Sequence, residues 1–192
     1  MVQGKLENKK IGVLGGSFDP AHVGHVRISK LAKKNYNLSQ VIWAITKQNP
    51  FKKNNPNDLY KRTAYAKKIN KNNKFIKVKC FEEIIKSNRT VDLIKYLKKK
   101  FKHSEIFFLM GADNLINFHK WKGYNSITKM CKILVFDRNG YKSKAFRSKS
   151  FKKYNKKAVE FIKFNKVNIS SCLLYTSPSP RDISGSRMPS SA

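Results

Sequence analysis

Short apolar runs alternate with amphipathic stretches along most of the chain. Runs the length of a buried strand lie at residues 11–14, 40–45, 75–78, 105–110 and 132–136. Helices are predicted at residues 22–34, 58–70 and 127–131. A further helix is predicted to end at residue 100 and to have Asp92 in its first turn. A strand, a helix and a strand in succession form the βαβ unit of a parallel sheet. We therefore predict an α/β domain whose five- or six-stranded parallel sheet is covered by helices.

Two polar stretches interrupt this pattern. Residues 46–57 contain two prolines and follow the second strand, so they predict a loop at the edge of the sheet where open α/β folds bind ligands. Residues 142–157 are strongly basic and have few apolar positions. We expect this second stretch to form a mobile surface segment.

A glycine-rich turn follows the first strand. The chain passes through Gly15, Gly16 and Ser17 to Asp19 and Pro20, which predict a helix start with a capping side chain and a residue of pre-set φ. Glycines let a ligand approach the backbone closely, and the amide groups of such a turn favour an anion such as phosphate.

Two histidines follow the turn. His22 and His25 are three residues apart, so they share a helix face above the anion site, and Gly24 between them leaves room for a flat or bulky group. Taken alone, such histidines more often decorate an exposed helix. Two imidazoles above a phosphate-binding turn indicate polyphosphate chemistry.

Other glycine-rich or metal-binding sites fit this stretch less well. A dinucleotide fingerprint needs G-x-G-x-x-G, and a P-loop needs Gly-Lys-Ser/Thr, but no lysine lies between Ile11 and Arg27. Asp19 and the two histidines could ligate a metal, yet no fourth ligand is near, and the cysteines form no paired motif. We therefore predict no protein-bound metal.

The stretch Gly15-Gly16-Ser17-Phe18-Asp19-Pro20-Ala21-His22-Val23-Gly24-His25 resembles the H-x-G-H signature of the nucleotidyltransferase superfamily. The resemblance implies a Rossmann-like parallel sheet with helices on both faces. It also implies that the residues of this stretch that bind ATP are Gly15, Gly16, Ser17, Phe18, His22 and His25, with both histidines catalytic.

Three further segments resemble the nicotinate-nucleotide adenylyltransferases of that superfamily. They are Pro50-x-Lys52, the segment Ser87 to Leu93 with Leu93 in place of a threonine, and the string F-x-M-G-A-D-N-L-x-x-F-x-x-W that starts at Phe108. The resemblance implies that Lys52 reaches the mononucleotide phosphate, that Asp113 accepts from a ribose hydroxyl and that Trp121 stacks on the nicotinate ring. It implies a mononucleotide contact for Thr90 as well, although helix capping explains Thr90 and Asp92 equally well.

The implied reaction joins ATP, with its Mg²⁺, to nicotinate mononucleotide and releases pyrophosphate. The glycines, the histidines, Asp113 and Trp121 are then expected to line one pocket. A nicotinamide-nucleotide or pantetheine-phosphate adenylyltransferase remains an alternative within the superfamily, and a basic RNA-binding protein is an alternative from another class. The sequence does not indicate an oligomeric state.

Composition limits the class of protein. The 192 residues carry a net charge of +31, and this predicts non-specific nucleic-acid binding in vitro. Since the lysines are spread over the whole chain, we do not take the charge as evidence for a nucleic-acid partner. No apolar run reaches the length of a membrane span, the first ten residues are polar, and three cysteines are scattered, so we expect a cytosolic protein with free thiols.

The composition changes abruptly near the end of the chain. Residues 167–171 resemble the start of the I-S-S-T-x-I-R motif, in which Ser170 and Ser171 would bind ATP. Cys172 replaces the threonine, and serine, proline and arginine then displace lysine and asparagine. We expect a nucleotidyltransferase domain over residues 1–171 and a tail over 172–192 that resembles a translated adaptor. A chain without the motif would be impaired.

Overall fold

The computed structural model describes residues 9–47, 58–137, 140–154 and 158–162. Six strands form one sheet, namely β1 (Lys10–Gly16), β2 (Gln40–Ile45), β3 (Ile76–Lys79), β4 (Glu105–Gly111), β5 (Lys132–Phe136) and β6 (Val159–Ile162). All neighbouring strands are parallel, and their order is β3-β2-β1-β4-β5-β6. The chain passes from β3 at one edge of the sheet to β4 beside β1, so the strand order changes direction between β1 and β4. Such a switch point opens a ligand crevice at the carboxyl ends of the strands.

Helices cover both faces of the sheet and enclose two separate cores. The helices are α1 (Val23–Tyr36), α2 (Leu59–Ile69), α3 (Glu82–Ile85), α4 (Thr90–Lys100), α5 (Ala112–Asn117), α6 (Tyr124–Met130), α7 (Lys142–Arg147) and α8 (Lys149–Tyr154). Helices α1 and α2 bury Ala32 and Ala66 against one face, around Trp43. Helices α4 to α7 pack on the other face, around Phe108. The predicted Rossmann-like architecture is confirmed.

The start of α1 differs from the prediction. Asp19 and Pro20 lie in a turn joined by a cis peptide bond, and His22 is the N-cap of the helix. The prediction that Asp19 caps the helix and that Pro20 begins it is therefore wrong. The chain uses imidazole nitrogen instead of a carboxylate as the acceptor at the helix N-terminus, and its first helical residue is Val23.

The expectation of a mobile segment at residues 142–157 is also wrong for the part that the structure describes. Residues 142–154 form α7 and α8, with Ala145 and Ser150 almost fully buried. Phe146 stacks on Phe161 of β6 at a ring distance of 4.5 Å, and Phe151 packs edge-on against both. A few apolar residues on one side of each helix therefore hold a segment whose lysines face outward.

The described helices have another property in common. None of those within the four described ranges combines the length and the apolar character that crossing a lipid bilayer requires.

Candidate functional site

A cavity of about 460 Å³ lies at the carboxyl ends of the central strands. Its floor is formed by the ends of β1, β2 and β4, and its walls come from the segment before α4, from α5 and from the turn after it. The residues that line it include Gly15, Gly16, Thr46, Phe108, Glu82, Arg89, Thr90, Asn114, Asn117, Lys120, Trp121 and Lys122.

Gly15 and Gly16 border this cavity. The packing of the protein around them does not require that these two residues lack a side chain. A Cβ added to Gly15 would lie 3.6 Å from the ring of Phe108, and one added to Gly16 would lie 3.6 Å from the ring of Phe18. Both distances are ordinary contacts. Because successive residues of a strand point to opposite faces, Gly15 faces the Phe108 side and Gly16 the Phe18 side. Two adjacent residues thus leave room on both sides of β1.

His22 and His25 lie on the Phe18 side and cap the helix together. The Nδ1 atom of His22 accepts the amide N–H of Gly24 at 3.1 Å, and the Nδ1 atom of His25 accepts the amide N–H of His22 at 3.2 Å. Their ring centroids are 3.9 Å apart. The pair therefore forms a capping box built from two imidazoles, which satisfies amide groups that the first helical turn leaves unpaired.

Gly24 makes this arrangement sterically feasible. A Cβ at Gly24 would come within 2.8 Å of Cε1 and 2.9 Å of Nδ1 of His22. The flat group for which this glycine leaves room is therefore the imidazole of His22 itself.

The two caps also determine the tautomer of each histidine. A neutral imidazole whose Nδ1 accepts a hydrogen bond carries its proton on Nε2. The hydrogen-bond pattern thus assigns an Nε2–H donor to both rings.

Aromatic packing fixes the turn that precedes the histidines. Phe18 has a φ of 48°, a conformation that is strained for a residue with a side chain. Its ring stacks on Trp43 at 4.8 Å and contacts His25 at the same centroid distance. The indole Nε1–H donates to Ser29 Oγ at 2.8 Å, and that hydroxyl donates to the carbonyl of His25 at 2.9 Å. The buried β2 tryptophan therefore anchors both the turn and the first turns of α1.

Only some of the residues expected to line one pocket meet at this cavity. Gly15, Gly16, Thr90 and Trp121 meet at the cavity, but His22, His25 and Asp113 are not among the described residues that line it. Gly16 connects the two groups, because it borders the cavity and lies beside Phe18, which contacts His25. The imidazoles and the indole are consequently on the two sides of one strand end.

The segment before α4 is held by a small polar network. Ser87 Oγ donates to Asp92 at 2.7 Å, and Arg89 Nε lies 2.8 Å from the same carboxylate. The hydroxyl of Ser87, followed by the nearby positive charge of Arg89, lowers the pKa of Asp92. Asp92 therefore organises the loop, whereas Thr90 borders the cavity.

Asp113 and Trp121 differ in their surroundings. Asp113 lies in the first turn of α5, and its Oδ1 atom is buried without a hydrogen-bond partner among the described residues. Trp121 is half-buried and packs edge-on against Phe108 and Phe118 at 6.1 and 5.4 Å. Trp121 therefore combines partial core packing with exposure to the cavity.

The charges around the cavity favour an anionic ligand. Arg89, Lys120 and Lys122 line it, and Glu82 is the one carboxylate among the lining residues that the structure describes. Burial raises the pKa of Glu82, and the amide N–H of Lys47, 3.1 Å from its Oε1, offsets part of that effect.

Sequence reasoning did not single out several residues of the site. The amides Asn114 and Asn117 face the cavity, one and four residues after Asp113, a helical spacing that could have identified them. Arg62 stands where the helix of the resembling family carries an arginine, but its contacts with backbone carbonyls had no signal in composition or periodicity.

Some of the predicted site residues lie outside the part of the chain that the structure describes. Lys52, Ser170, Ser171 and the predicted tail lie outside the ranges given above. Within those ranges, no three His, Cys, Asp or Glu side chains come together as a metal site would require.

Known proteins resemble this chain in sequence and in fold. The cytidylyltransferase-like family model matches residues 13–187. A protein of Pelagibacter ubique named probable nicotinate-nucleotide adenylyltransferase is 59% identical over 165 residues, which cover 86% of this chain and 91% of the relative. An Aquifex aeolicus protein of the same name is 33% identical over 83% of this chain and 97% of its own length. The fold also matches a Plasmodium falciparum nicotinic acid mononucleotide adenylyltransferase complexed with NaAD, with a TM-score of 0.64, 19% identity, and coverage of 84% of this chain and 78% of that chain.

Proposed function

The chain belongs to the nicotinate-nucleotide adenylyltransferases of the cytidylyltransferase-like family, and we infer from this that it transfers an adenylyl group from ATP to nicotinate mononucleotide. The products are nicotinate adenine dinucleotide and pyrophosphate, and the reaction is a step of NAD biosynthesis. We place this activity in the cytosol. One observation supports placing the activity at this site. The histidine pair that caps α1 and the cavity lined by Trp121 and by cations lie on either side of the glycine-rich end of β1.

We propose that the two substrates use the two sides of β1. Gly15, Gly16, Ser17, Phe18 and the histidine pair would contact ATP. The cavity would hold the mononucleotide, with Trp121 against the pyridine ring and Thr90 at its edge. The cations around the cavity support this proposal because nicotinate mononucleotide carries both a phosphate and a ring carboxylate. The unpartnered Oδ1 of Asp113 is suited to accept from a ribose hydroxyl.

The chemistry proposed for this site needs positioning more than covalent help. The 5′-phosphate of the mononucleotide is already an anion and attacks the α-phosphorus directly, so orientation of the two substrates can supply roughly 7–11 kcal/mol of the barrier. The Nε2–H groups of His22 and His25 would donate to ATP phosphate oxygens as charge develops on the leaving pyrophosphate.

We propose that Mg²⁺ enters with ATP as part of that substrate. Its ligands would then be phosphate oxygens, and the ion would neutralise part of their charge.

We further propose that the tail after Ser171 impairs this polypeptide. Lys52, Ser170 and Ser171 are proposed phosphate contacts, and the last two introduce a motif that Cys172 breaks. A restored chain, with a Thr-x-Ile-Arg helix placed after Ser171, is expected to turn over faster than the chain as written. Equal rates would refute the proposed impairment.

The decisive experiment measures pyrophosphate release from ATP with nicotinate mononucleotide and, in parallel, with nicotinamide mononucleotide. We expect release that requires both substrates and a higher kcat/KM for the nicotinate compound, since the cavity is cationic. A preference for the amide would reassign the substrate within the superfamily. No release by the restored chain with either compound would overturn the proposed function.

A further inference from the structure

Arg62 is a buried cation whose recorded hydrogen-bond partners are backbone carbonyls. It lies in the first half of α2, and only 4% of its surface is exposed. Its Nη1 donates to the carbonyl of Ser17 at 2.5 Å and to that of Thr46 at 2.9 Å, and its Nη2 donates to the carbonyl of Lys47 at 2.9 Å. One guanidinium therefore joins three peptide groups.

These peptide groups belong to two segments that diverge from the sheet at this point. The ladder between β1 and β2 ends with Gly16 opposite Ile45, and one further bond runs from the amide of Thr46 to the carbonyl of Gly16 at 3.0 Å. Beyond that bond Arg62 links the two segments. The arginine thus extends the connection between β1 and β2 past the end of their backbone ladder.

The two segments lie on the two proposed substrate sides. Ser17 belongs to the glycine-rich turn beside the histidine pair, and Thr46 lines the cavity. Lys47 is held from the cavity side as well, because Glu82 accepts its amide N–H at 3.1 Å and Glu83 lies 2.9 Å from its Nζ. Arg62 therefore spans the strand ends that separate the two sides.

Holding the Ser17 carbonyl also orients an amide donor. A trans peptide group is planar, and its C=O and N–H point in opposite directions. The amide N–H of Phe18 is consequently directed away from Arg62. Phe18 is the residue with the strained φ of 48°, so Arg62 on the backbone and Trp43 on the ring hold the same strained position.

We propose that Arg62 is a positioning residue that sets the distance and orientation of the glycine-rich turn relative to the end of β2, and so aligns the two substrates. The proposal rests on the proposed function. An arginine suits this task because its planar fork presents donors in fixed directions, whereas the ammonium of a lysine is a single point on a flexible stem. Lysine at this position would keep the charge but would not hold all three carbonyls in one geometry.

The test compares Arg62→Lys and Arg62→Gln with Lys67→Gln, an exposed position of the same helix. Two measurements are made on the full 192-residue chain, namely steady-state product formation over a range of both substrates, and amide hydrogen exchange without substrate. We expect Arg62→Lys to lower kcat about 10-fold to 100-fold, the effect of a misplacement of order 1 Å, while both KM values change less than about threefold. Exchange is expected to accelerate at residues 15–18 and 46–47 together but not at 132–136, and Lys67→Gln should change neither measurement.

The outcomes separate this proposal from the proposed function. Unchanged kcat in Arg62→Lys, or a rise in KM that accounts for the whole loss, overturns the positioning role. Exchange that rises equally over the whole sheet in both Arg62 variants also overturns it, because Arg62 would then be a core element only. No product from the unsubstituted 192-residue chain is the result that the proposed impairment expects, and only a restored chain that also yields no product counts against the proposed function. In either case the local exchange pattern decides whether Arg62 joins the two segments.

Discussion

His25 accepts the backbone amide of His22 through Nδ1 at 3.2 Å, and the two rings lie 3.9 Å apart. Each imidazole therefore has a structural task at Nδ1, and under the proposed function its Nε2–H is the donor to a phosphate oxygen. The same hydrogen bonds that start α1 fix which nitrogen carries the proton. The proposed phosphate contacts would thus be made by the same two side chains that cap the helix.

Replacing His25 by alanine in the restored chain should lower kcat by about 10²–10³-fold, the cost of one preorganised donor at a reacting phosphate. Steady-state rates at saturating ATP and nicotinate mononucleotide measure this loss. His103→Ala, at an exposed histidine, is the matched control and should retain full activity. A loss below about tenfold would show that His25 does not act at the reacting centre.

Gly24→Ala should reduce activity with little change in thermal stability. The new Cβ would lie 2.8 Å from the His22 ring, so the imidazole must leave its capping position. Loss of the cap costs about 0.5–2 kcal/mol, while alanine gains about 1 kcal/mol over glycine inside a helix, so the two effects on Tm nearly cancel. We expect kcat to fall about 10-fold to 100-fold, as for a loosened phosphate donor.

His22→Asn provides the comparison for that experiment. Asparagine is a good N-cap, so this variant keeps the helix start but has no imidazole. If Gly24→Ala acts through His22, the two variants will have similar kcat and similar Tm. Normal activity in Gly24→Ala would contradict the steric argument.

Trp121→Ala should weaken binding of nicotinate mononucleotide more than it slows the reaction. Aromatic contacts of this kind are worth about 0.5–1.5 kcal/mol, so KM for the mononucleotide should rise roughly threefold to tenfold while KM for ATP stays constant. Fluorescence gives a second readout, because the chain has two tryptophans and Trp43 is fully buried. Quenching by the mononucleotide should be lost in Trp121→Phe, and quenching that persists there would place the ligand elsewhere.

Cys131 should make stability fall at alkaline pH. Burial raises the pKa of its thiol from 9.0 to about 12, and its Sγ–H donates to the carbonyl of Ile127 at 3.3 Å. The folded state therefore retains a proton that the unfolded state releases above pH 9. The contribution of this thiol is intact below pH 9 and decreases by about 1.4 kcal/mol per pH unit as the pH rises toward 12.

Urea unfolding at pH 8, 9.5 and 10.5 checks this prediction against Cys131→Ala. The variant should be less dependent on pH over this range than the original chain. Parallel pH profiles for the two proteins would show that the buried thiol does not contribute.

Periodicity predicted the sheet better than the helix ends. The bounds predicted for β2 and β5 agree with the structure, because each strand has one polar first residue followed by a continuous apolar run, at residues 41–45 and 133–136, and a polar residue after it. β6 has only four residues and was not predicted. Helix α1 begins within one residue of the predicted range, but its cap is His22 and not Asp19, and histidine is not among the residues that usually mark a helix start.

The candidate site was predicted by residue type but not by arrangement. The glycines, Thr90 and Trp121 do meet at one cavity, but the alternation of Gly15 and Gly16 across β1 puts the histidines on the other side. Periodicity alone also concealed the packing of α7 and α8, since lysines outnumber the few residues that carry the contact. The contacts of Arg62 with peptide carbonyls depend on tertiary structure, so no side-chain pattern could have revealed them.

The end of β1 is a partition only one backbone thick, since its last two residues have no side chains. Under the proposed function, each nucleotide would be able to bind while the other occupies the opposite side of β1, and the dinucleotide product would span both sides. A compound that joins an adenosine polyphosphate to a pyridine carboxylate through a linker short enough to cross that edge would match both compartments at once. Such a two-headed inhibitor would discriminate this enzyme from proteins that bind ATP in a single cleft.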